Sequence, residues 1–221
     1  MREFWCAARL AEKDEYTERH IRRVALRAVQ VGEALGLAPR SLRTLAAGGL
    51  LHDIGKLAVP DSILKKPAAL TDEEYACIRR HPEFGYELLG ELGGFSPGVR
   101  RLVLGHHERT DGSGYPRGLQ GVEIEVETRI LSVCDVYDAS ISTRVYREGW
   151  SPDRAVPLLH KGAGTEFDRR CVEALEGILS REFERAGVGE RPSVEPAVEC
   201  LDLEGCDIDQ SEPLVLCRPP H

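Results

Sequence analysis

The sequence predicts an all-α fold, a bundle of helices followed by an irregular acidic tail. Apolar residues recur at helical spacing through most of residues 16–185, and no stretch of this body alternates as a half-buried strand would. Helix-start signals such as Ser-Pro precede several of the periodic stretches. Residues 187–221 change character, because they combine prolines and acids with short β-prone pieces.

Start and stop signals set the bounds of the helices. Pro39 is expected to follow the end of the first helix as a stop, and Thr71 with Glu74 has the spacing of a capping box. Ser96-Pro97 and Ser151-Pro152 each place an N-cap residue before a proline at the first helical position. Residues 57–70 are expected to form a loop. The predicted helices cover residues 16–37, 41–52, 71–81, 83–92, 97–107, 125–143, 152–160 and 168–185.

Charge separates the tail from the body. Residues 187–221 hold eight acidic and two basic residues, so they carry −6 of the net charge of −8. We expect a lead-in over residues 1–13, a folded domain over 14–186, and an acidic, proline-containing tail over 187–221. The tail is expected to be disordered or to form a small hairpin on the body. A phosphate-bearing ligand would be attracted by local groups or metal ions, because the body is nearly neutral.

Composition excludes several classes of protein. The negative net charge argues against broad binding to DNA or RNA polymers. No apolar run approaches the roughly 18 residues of a membrane-spanning helix, and the N-terminus is too charged for a signal peptide. Seven cysteines without C-x-x-C spacing favour reduced thiols over a disulfide framework. We therefore expect a cytoplasmic protein without a membrane partner.

Ligand-type side chains gather at helix ends and on helix faces. The five histidines concerned are His20, His52, His81, His106 and His107. Asp53 follows one of them directly, and Asp135 stands in an otherwise apolar helix, where a charge needs a partner. Each group alone would more often be a satisfied core or surface residue. Together, imidazole and carboxylate suit iron, manganese or zinc, so the sequence indicates a metal site.

A glycine-rich loop follows the last two of these histidines. Residues 106–119 read HHERTDGSGYPRGL, and the three glycines and Pro116 indicate a loop of defined shape. Alone, this stretch would be either an ordinary surface loop or a site where metal ligands meet a backbone close to a substrate. The histidines and acids elsewhere in the chain favour the site.

These motifs resemble the HD-GYP family, a branch of the HD superfamily of metal-dependent phosphohydrolases. The resemblance spans about residues 14–179. It includes HDIGK at 52–56, HPEFG at 81–85, HHERTDGSGYPRGLQG at 106–121, RILSVCDVYDA at 129–139 and GTEFD at 164–168. It implies a helical bundle of the HD-superfamily type, with residues 14–186 as the catalytic domain. It also implies an enzyme that hydrolyses cyclic dinucleotides, chiefly cyclic di-GMP.

The resemblance assigns the ligands of two divalent metal ions. His20, His52, Asp53 and Asp135 correspond to the ligands of one metal. Asp53 would bridge to a second metal, whose other ligands would be His81, His106 and His107. Two such metals can share a hydroxide that attacks a phosphodiester. The expected product is pGpG, with a second cut to GMP left open, and iron or manganese is expected over zinc.

Other residues match family positions around the substrate. Lys56 would direct a cation at the scissile phosphate or the hydroxide, although it could be a solvated lysine at a helix end. Arg144 and Arg147 match basic residues that contact the dinucleotide, or else belong to a solvated helix end. Asp138 would orient a histidine or Lys56. Gly114 and Tyr115 would form a pocket wall, with a packing role for Tyr115 as the alternative.

Two departures from the family pattern bear on this interpretation. Tyr16 stands where some relatives carry a glutamate that helps hold a third metal, so we expect two metals. Residues 138–147 read DASISTRVYR where the family has DALTSxRPYR, so Ser140 and Val145 could loosen the substrate helix. No position that corresponds to a metal ligand is lost.

Two other functions and the mode of regulation stay open. The chain could hydrolyse another cyclic dinucleotide or another phosphate ester. It could also be a catalytically slow signalling module that binds cyclic di-GMP. Residues 1–13 could continue the first helix or pair with a second copy, as in a homodimer. The chain could be a stand-alone enzyme, or its input could arrive through a separate sensory partner.

Overall fold

Helices form nearly all the regular structure of residues 15–143 and 149–186, the parts of the chain that this computed structural model describes. The α-helices are α1 (Glu15–Ala34), α2 (Pro39–Leu51), α3 (Asp61–Leu64), α4 (Asp72–Arg79), α5 (His81–Leu92), α6 (Pro97–Gly105), α7 (Val126–Ile141), α8 (Pro152–Gly162) and α9 (Arg169–Ala186). Two 3₁₀ helices cover Ile54–Ala58 and Gly121–Glu123. The described residues contain two isolated β-bridges and no sheet. The predicted all-α class is therefore confirmed.

Local hydrogen bonds begin the helices as the sequence predicts. The Thr71 hydroxyl accepts from the Glu74 N–H at 3.3 Å, and the Glu74 carboxylate accepts from the Thr71 N–H at 2.8 Å. This reciprocal pair is the predicted capping box. Ser96 caps α6 in the same way, because its hydroxyl accepts from the Val99 N–H at 3.3 Å.

The predicted bounds of some helices were wrong because proline can either follow the end of a helix or lie in its first turn. Gly36, at φ +72°, follows the end of α1, and Pro39 is the first residue of α2 rather than only a stop. Likewise, His81 and Pro82 begin α5, although the sequence analysis ended a helix there. The predicted loop over residues 57–70 also contains α3. Proline suits the first turn of a helix and the residues after its end, so local sequence did not separate the two.

Two apolar clusters hold the helices together, and α1 takes part in both. The first cluster is built on Ile130, Leu131 and Val133 of α7, which pack against residues of α1, α8 and α9. The second cluster joins α1 to α2, the first 3₁₀ helix, α5 and α6. Its largest buried side chains are Ile21, Leu50, Leu51, Ile54 and Leu89. Together the clusters bring the ends of α2 and α6 and the start of α5 next to α1 and α7.

Some predictions fall on residues that the structure does not describe. These are the lead-in over residues 1–13, the tail over 187–221 and the side chain of Tyr16. Arg144 and Arg147 also lie outside the described residues, in the segment 144–148. Within the described parts of the chain, no helix has the length and apolar character needed to cross a membrane.

Candidate metal centre

The structure brings all seven predicted ligands together from five parts of the fold. Six of them form two groups of three, in each of which the ligand atoms lie within 4.8 Å of one another. We call His20, His52 and Asp135 the first group, and His81, His106 and His107 the second group. The first group joins α1, the end of α2 and α7, whereas the second joins the start of α5 to the end of α6.

Asp53 lies between the two groups. Its Oδ2 atom is 3.6 Å from His52 Nε2 in the first group, and its Oδ1 atom is 3.3 Å from His81 Nε2 in the second. Lys56 Nζ donates to Asp53 Oδ2 at 2.6 Å. Burial favours the neutral acid, but the Lys56 ammonium and the neighbouring histidines hold the pKa of Asp53 well below its ordinary value. The carboxylate therefore stays ionised and faces both groups.

Backbone carbonyls set the tautomers of three histidines. In each case, the ring Nδ1 lies 2.7 or 2.8 Å from the carbonyl oxygen three residues earlier, as in His52 to Gly49, His81 to Ile78 and His106 to Val103. A carbonyl only accepts hydrogen bonds, so each Nδ1 carries the proton and each Nε2 keeps its lone pair. The three rings are therefore oriented as metal ligands.

These Nε2 atoms fit a bound cation. Among the described residues, His52 Nε2 is buried and has no hydrogen-bond partner. The Nε2 atoms of His81 and His106 lie 3.1 Å apart, although both rings carry their proton on Nδ1. Burial lowers the pKa of His81 to about 4 and that of His106 well below its ordinary value. Neither Nε2 atom is therefore protonated at neutral pH, and no proton bridges the two. Facing lone pairs in a buried site suit a divalent metal ion.

Asp138 orients the remaining histidine of the first group. Its Oδ2 atom accepts from His20 Nδ1 at 2.7 Å, and Arg23 holds the same carboxylate through bonds of 2.6 and 2.9 Å. From the sequence, Asp138 was expected to orient either a histidine or Lys56, and the structure pairs it with His20. Arg23 was missed, although its position three residues after His20 places both side chains on one face of α1.

Metal binding to the first group is expected to release about one proton at neutral pH. Burial disfavours the imidazolium of His20, but Asp135 and Asp138 raise its pKa to about 10 in the metal-free protein. Its Nε2 proton, which faces Asp135 Oδ1 at 3.1 Å, must leave before that nitrogen can bind a metal. The apparent affinity for Mn²⁺ should therefore rise about tenfold per pH unit between pH 7 and 9.

Calorimetric titrations with Mn²⁺ in buffers of different ionisation enthalpy would count this proton. Metal binding to His81 and His107 of the second group should release no proton, because burial lowers the pKa of His81 to about 4 and that of His107 to about 3. Both rings are neutral above pH 6 and release nothing. A pH-independent affinity without proton release would contradict the predicted state of His20.

The glycine-rich loop is folded back on itself by Glu108. This buried carboxylate accepts from the backbone N–H groups of Arg117 and Leu119 at 2.8 and 3.0 Å. At Gly114, a Cβ atom would lie 2.3 Å from the Arg109 nitrogen, so the close approach there requires glycine. The next residue, Tyr115, stacks on His107 with the ring centroids 4.7 Å apart. The sequence did not predict this loop-ordering role of Glu108, whose one signal was its place directly after two ligand-type histidines.

Gly149 and Trp150, which follow the two predicted substrate arginines in the sequence, bond to residues at the end of α7 and just after it. The Gly149 N–H donates to Thr143 Oγ1 at 3.1 Å, and the Trp150 N–H donates to the Ser140 carbonyl at 3.0 Å. These bonds hold Gly149 and Trp150 against the end of α7, the helix that carries Asp135. The roles of Arg144 and Arg147 themselves stay predictions.

Comparison with known proteins agrees with this geometry. The family model described as HD domain matches residues 6–171. A cyclic di-GMP phosphodiesterase response regulator of Xanthomonas campestris pv. campestris is 45% identical over 173 residues, which cover 76% of this chain and 46% of that protein. A 3'3'-cGAMP-specific phosphodiesterase of Vibrio cholerae is 35% identical over 168 residues, which cover 76% of this chain and 36% of that protein. The chain thus spans less than half the length of these relatives.

A solved structure shows the same fold. An HDG"Y"P protein from Bdellovibrio bacteriovorus superposes with a TM-score of 0.61 at 23% identity, over 73% of this chain and 51% of that one. The chain therefore belongs to the HD domain family, and its motifs are those of the HD-GYP branch.

Proposed function

We propose that this chain is a metal-dependent phosphodiesterase that hydrolyses cyclic di-GMP to pGpG, with a second cut to GMP left open. One observation carries the proposal: Asp53, a buried and ionised carboxylate, contacts both groups of ligand-type side chains. A pair of adjoining divalent sites suits the displacement of an oxygen at a phosphate. The relatives named as cyclic di-GMP phosphodiesterases support the choice of substrate.

The ligand sets divide between two divalent cations. His20, His52, Asp53 and Asp135 would hold one of them. Asp53 would also serve the second, together with His81, His106 and His107. When bound, these ions supply Lewis-acid charge at the phosphate. Mixed imidazole and carboxylate ligands suit iron or manganese, which we expect over zinc.

Residues of the chain itself prepare the site for an anion. Lys56 is bound to Asp53 and its side chain is 25% exposed, so its ammonium can meet both the buried carboxylate and a phosphate at the entrance. Asp138 keeps His20 in one orientation, and the loop ordered by Glu108 places Tyr115 beside the second group. We propose Lys56 and Asp53 as catalytic residues, and Tyr115, Gly114, Arg144 and Arg147 as the substrate-binding residues.

A second substrate, 3'3'-cGAMP, is the alternative. The Vibrio cholerae relatives named as 3'3'-cGAMP-specific phosphodiesterases share the matched region. Cyclic di-GMP and 3'3'-cGAMP have the same phosphodiester ring and differ in one base. The metal-ligating side chains therefore do not indicate which of the two is the substrate. The full ligand set favours turnover over a slow signalling module. A homodimer or a separate sensory partner remains a prediction, as does the cytoplasmic location.

The test is a substrate panel with protein prepared anaerobically and loaded with Fe²⁺ or Mn²⁺. We expect two metal ions per chain by elemental analysis and conversion of cyclic di-GMP to pGpG. The same protein after treatment with a chelator is the control and should be inactive. Turnover of 3'3'-cGAMP alone would select the alternative substrate. Tight binding of cyclic di-GMP to the metal-loaded protein without any product would contradict the proposed activity.

A further inference from the structure

Arg79, the last residue of α4, lies against the wall of the metal centre. Its guanidinium carbon is 4.4 Å from the ring centroid of Tyr115 and 6.0 Å from that of Tyr75, one turn earlier on α4. Tyr115 in turn stacks on His107 of the second group. Tyr115 therefore contacts both the Arg79 guanidinium and His107, a proposed metal ligand.

Both sides of this contact are held in place by the fold. On the α4 side, the Ile78 carbonyl accepts from His81 Nδ1 at 2.8 Å, so the residues flanking Arg79 are bonded to each other at the metal centre. On the loop side, Tyr115 follows the tightly packed Gly114, and its N–H donates to the His107 carbonyl at 3.3 Å. The contact between Arg79 and Tyr115 is thus a consequence of rigid local structure.

The donors of Arg79 are available to a ligand. The side chain is exposed, and within residues 15–143 and 149–186 no carboxylate or carbonyl forms an ion pair or hydrogen bond with its guanidinium. A guanidinium that stacks through its face keeps its N–H groups in the plane, where they match a phosphate in fork geometry. The next residue differs, because the Arg80 guanidinium lies 4.7 Å from the Phe84 ring centroid and 3.7 Å from the Glu83 carboxylate.

We propose that Arg79, supported by Tyr115, binds the phosphate of the cyclic dinucleotide that is not being cleaved. This inference rests on the proposed function. The substrate carries two phosphodiesters, and the cleaved one lies at the metal ligands beside Lys56. The other lies away from that point in the ring and needs a cation at the wall of the site. Arg79 meets this requirement in position, charge and free donors.

Three variants test the inference: Arg79→Met, which keeps the length and packing of the side chain without its donors, Arg79→Lys, and the matched control Arg80→Met. Two quantities are measured, the Kd of a bisphosphorothioate analogue of cyclic di-GMP and the kcat and KM for cyclic di-GMP. For R79M we expect Kd and KM to rise about 10- to 100-fold, with a much smaller change in kcat. R79K should lie between R79M and the wild type, because an ammonium lacks the planar fork. R80M should stay close to the wild type.

A linear substrate identifies the phosphate. GpG has one phosphodiester and no second phosphate, so R79M should reduce the preference for cyclic di-GMP over GpG by the same 10- to 100-fold. An equal loss on both substrates would assign Arg79 to the cleaved phosphate and overturn the inference. So would a Kd for R79M equal to that of R80M, or a loss of metal from R79M, which would show that Arg79 acts through His81.

The experiments distinguish a wrong role for Arg79 from a wrong proposed function. If R79M and R80M behave alike while the wild-type protein still converts cyclic di-GMP to pGpG, the role of Arg79 is wrong and the proposed function stands. If the wild-type protein neither binds the analogue nor cleaves cyclic di-GMP, the proposed function is wrong and the inference falls with it.

Discussion

Asp53→Ala is expected to abolish metal binding and turnover together. The variant removes a carboxylate that contacts both ligand groups, and it leaves Lys56 without the acceptor that lies 2.6 Å from its ammonium. The positive charge near the ligand atoms would then repel a divalent cation. We expect kcat/KM for cyclic di-GMP to fall roughly 10³-fold or more, the scale of removing one member of a catalytic set. The double variant with His52→Ala should show no metal at all.

Elemental analysis of anaerobically purified protein, together with the cyclic di-GMP assay, measures both effects. Asp61→Ala is the matched control, because Asp61 also pairs with a lysine, Lys65, at 2.9 Å, but both side chains are more than half exposed. Such surface pairs contribute little. The control should keep its metals and its activity. Normal hydrolysis by the Asp53→Ala, His52→Ala protein would contradict the proposed centre.

Gly55→Ala is expected to destabilise the protein and to disrupt both sides of the centre. A Cβ atom at Gly55 would lie 1.8 Å from the His81 carbonyl oxygen and 2.5 Å from the Gly85 nitrogen. Both are backbone atoms of α5, so the 3₁₀ helix or α5 must move. That movement displaces Lys56 or His81. Overpacking against backbone should cost about 3 kcal/mol or more in the free energy of unfolding, a fall in Tm of roughly 6–12 °C.

Thermal unfolding and metal analysis check this prediction against a second glycine. Gly177 lies inside α9, where a Cβ atom would meet only the end of the Arg181 side chain at 3.6 Å. Gly177→Ala should therefore stabilise the protein by about 0.5–1 kcal/mol. If Gly55→Ala unfolded at the wild-type temperature with its metals in place, the close approach between the 3₁₀ helix and α5 would be refuted.

Helix starts could be predicted because their hydrogen bonds are local. The bonds of Thr71 with Glu74 and of Ser96 with Val99 each join residues three apart, so the residue types suffice to recognise them. Pro39 and Pro82 were misread for the opposite reason. Whether a proline follows one helix or opens the next depends on how the two helices pack.

The partners of the ligands could not be predicted in the same way. Asp138 and Arg23 are 115 residues apart in the chain, and Arg79 and Tyr115 come from different elements. Motif resemblance named Asp138 and Tyr115 as residues near a site. It did not say that Arg23 holds the first or that Arg79 stacks on the second, because neither arginine belongs to a motif.

The sequence by itself determined the all-α class, several helix starts and the set of histidines and acids that resemble metal ligands. These depend on periodicity, capping and motif order, which are properties of short stretches and their sequence. Only the tertiary structure decided that Arg23 holds the carboxylate of Asp138, that three Nε2 atoms point inward, and that Gly55 must lack a side chain. Each of these depends on distances between residues that are remote in the chain, and packing of the two apolar clusters sets those distances.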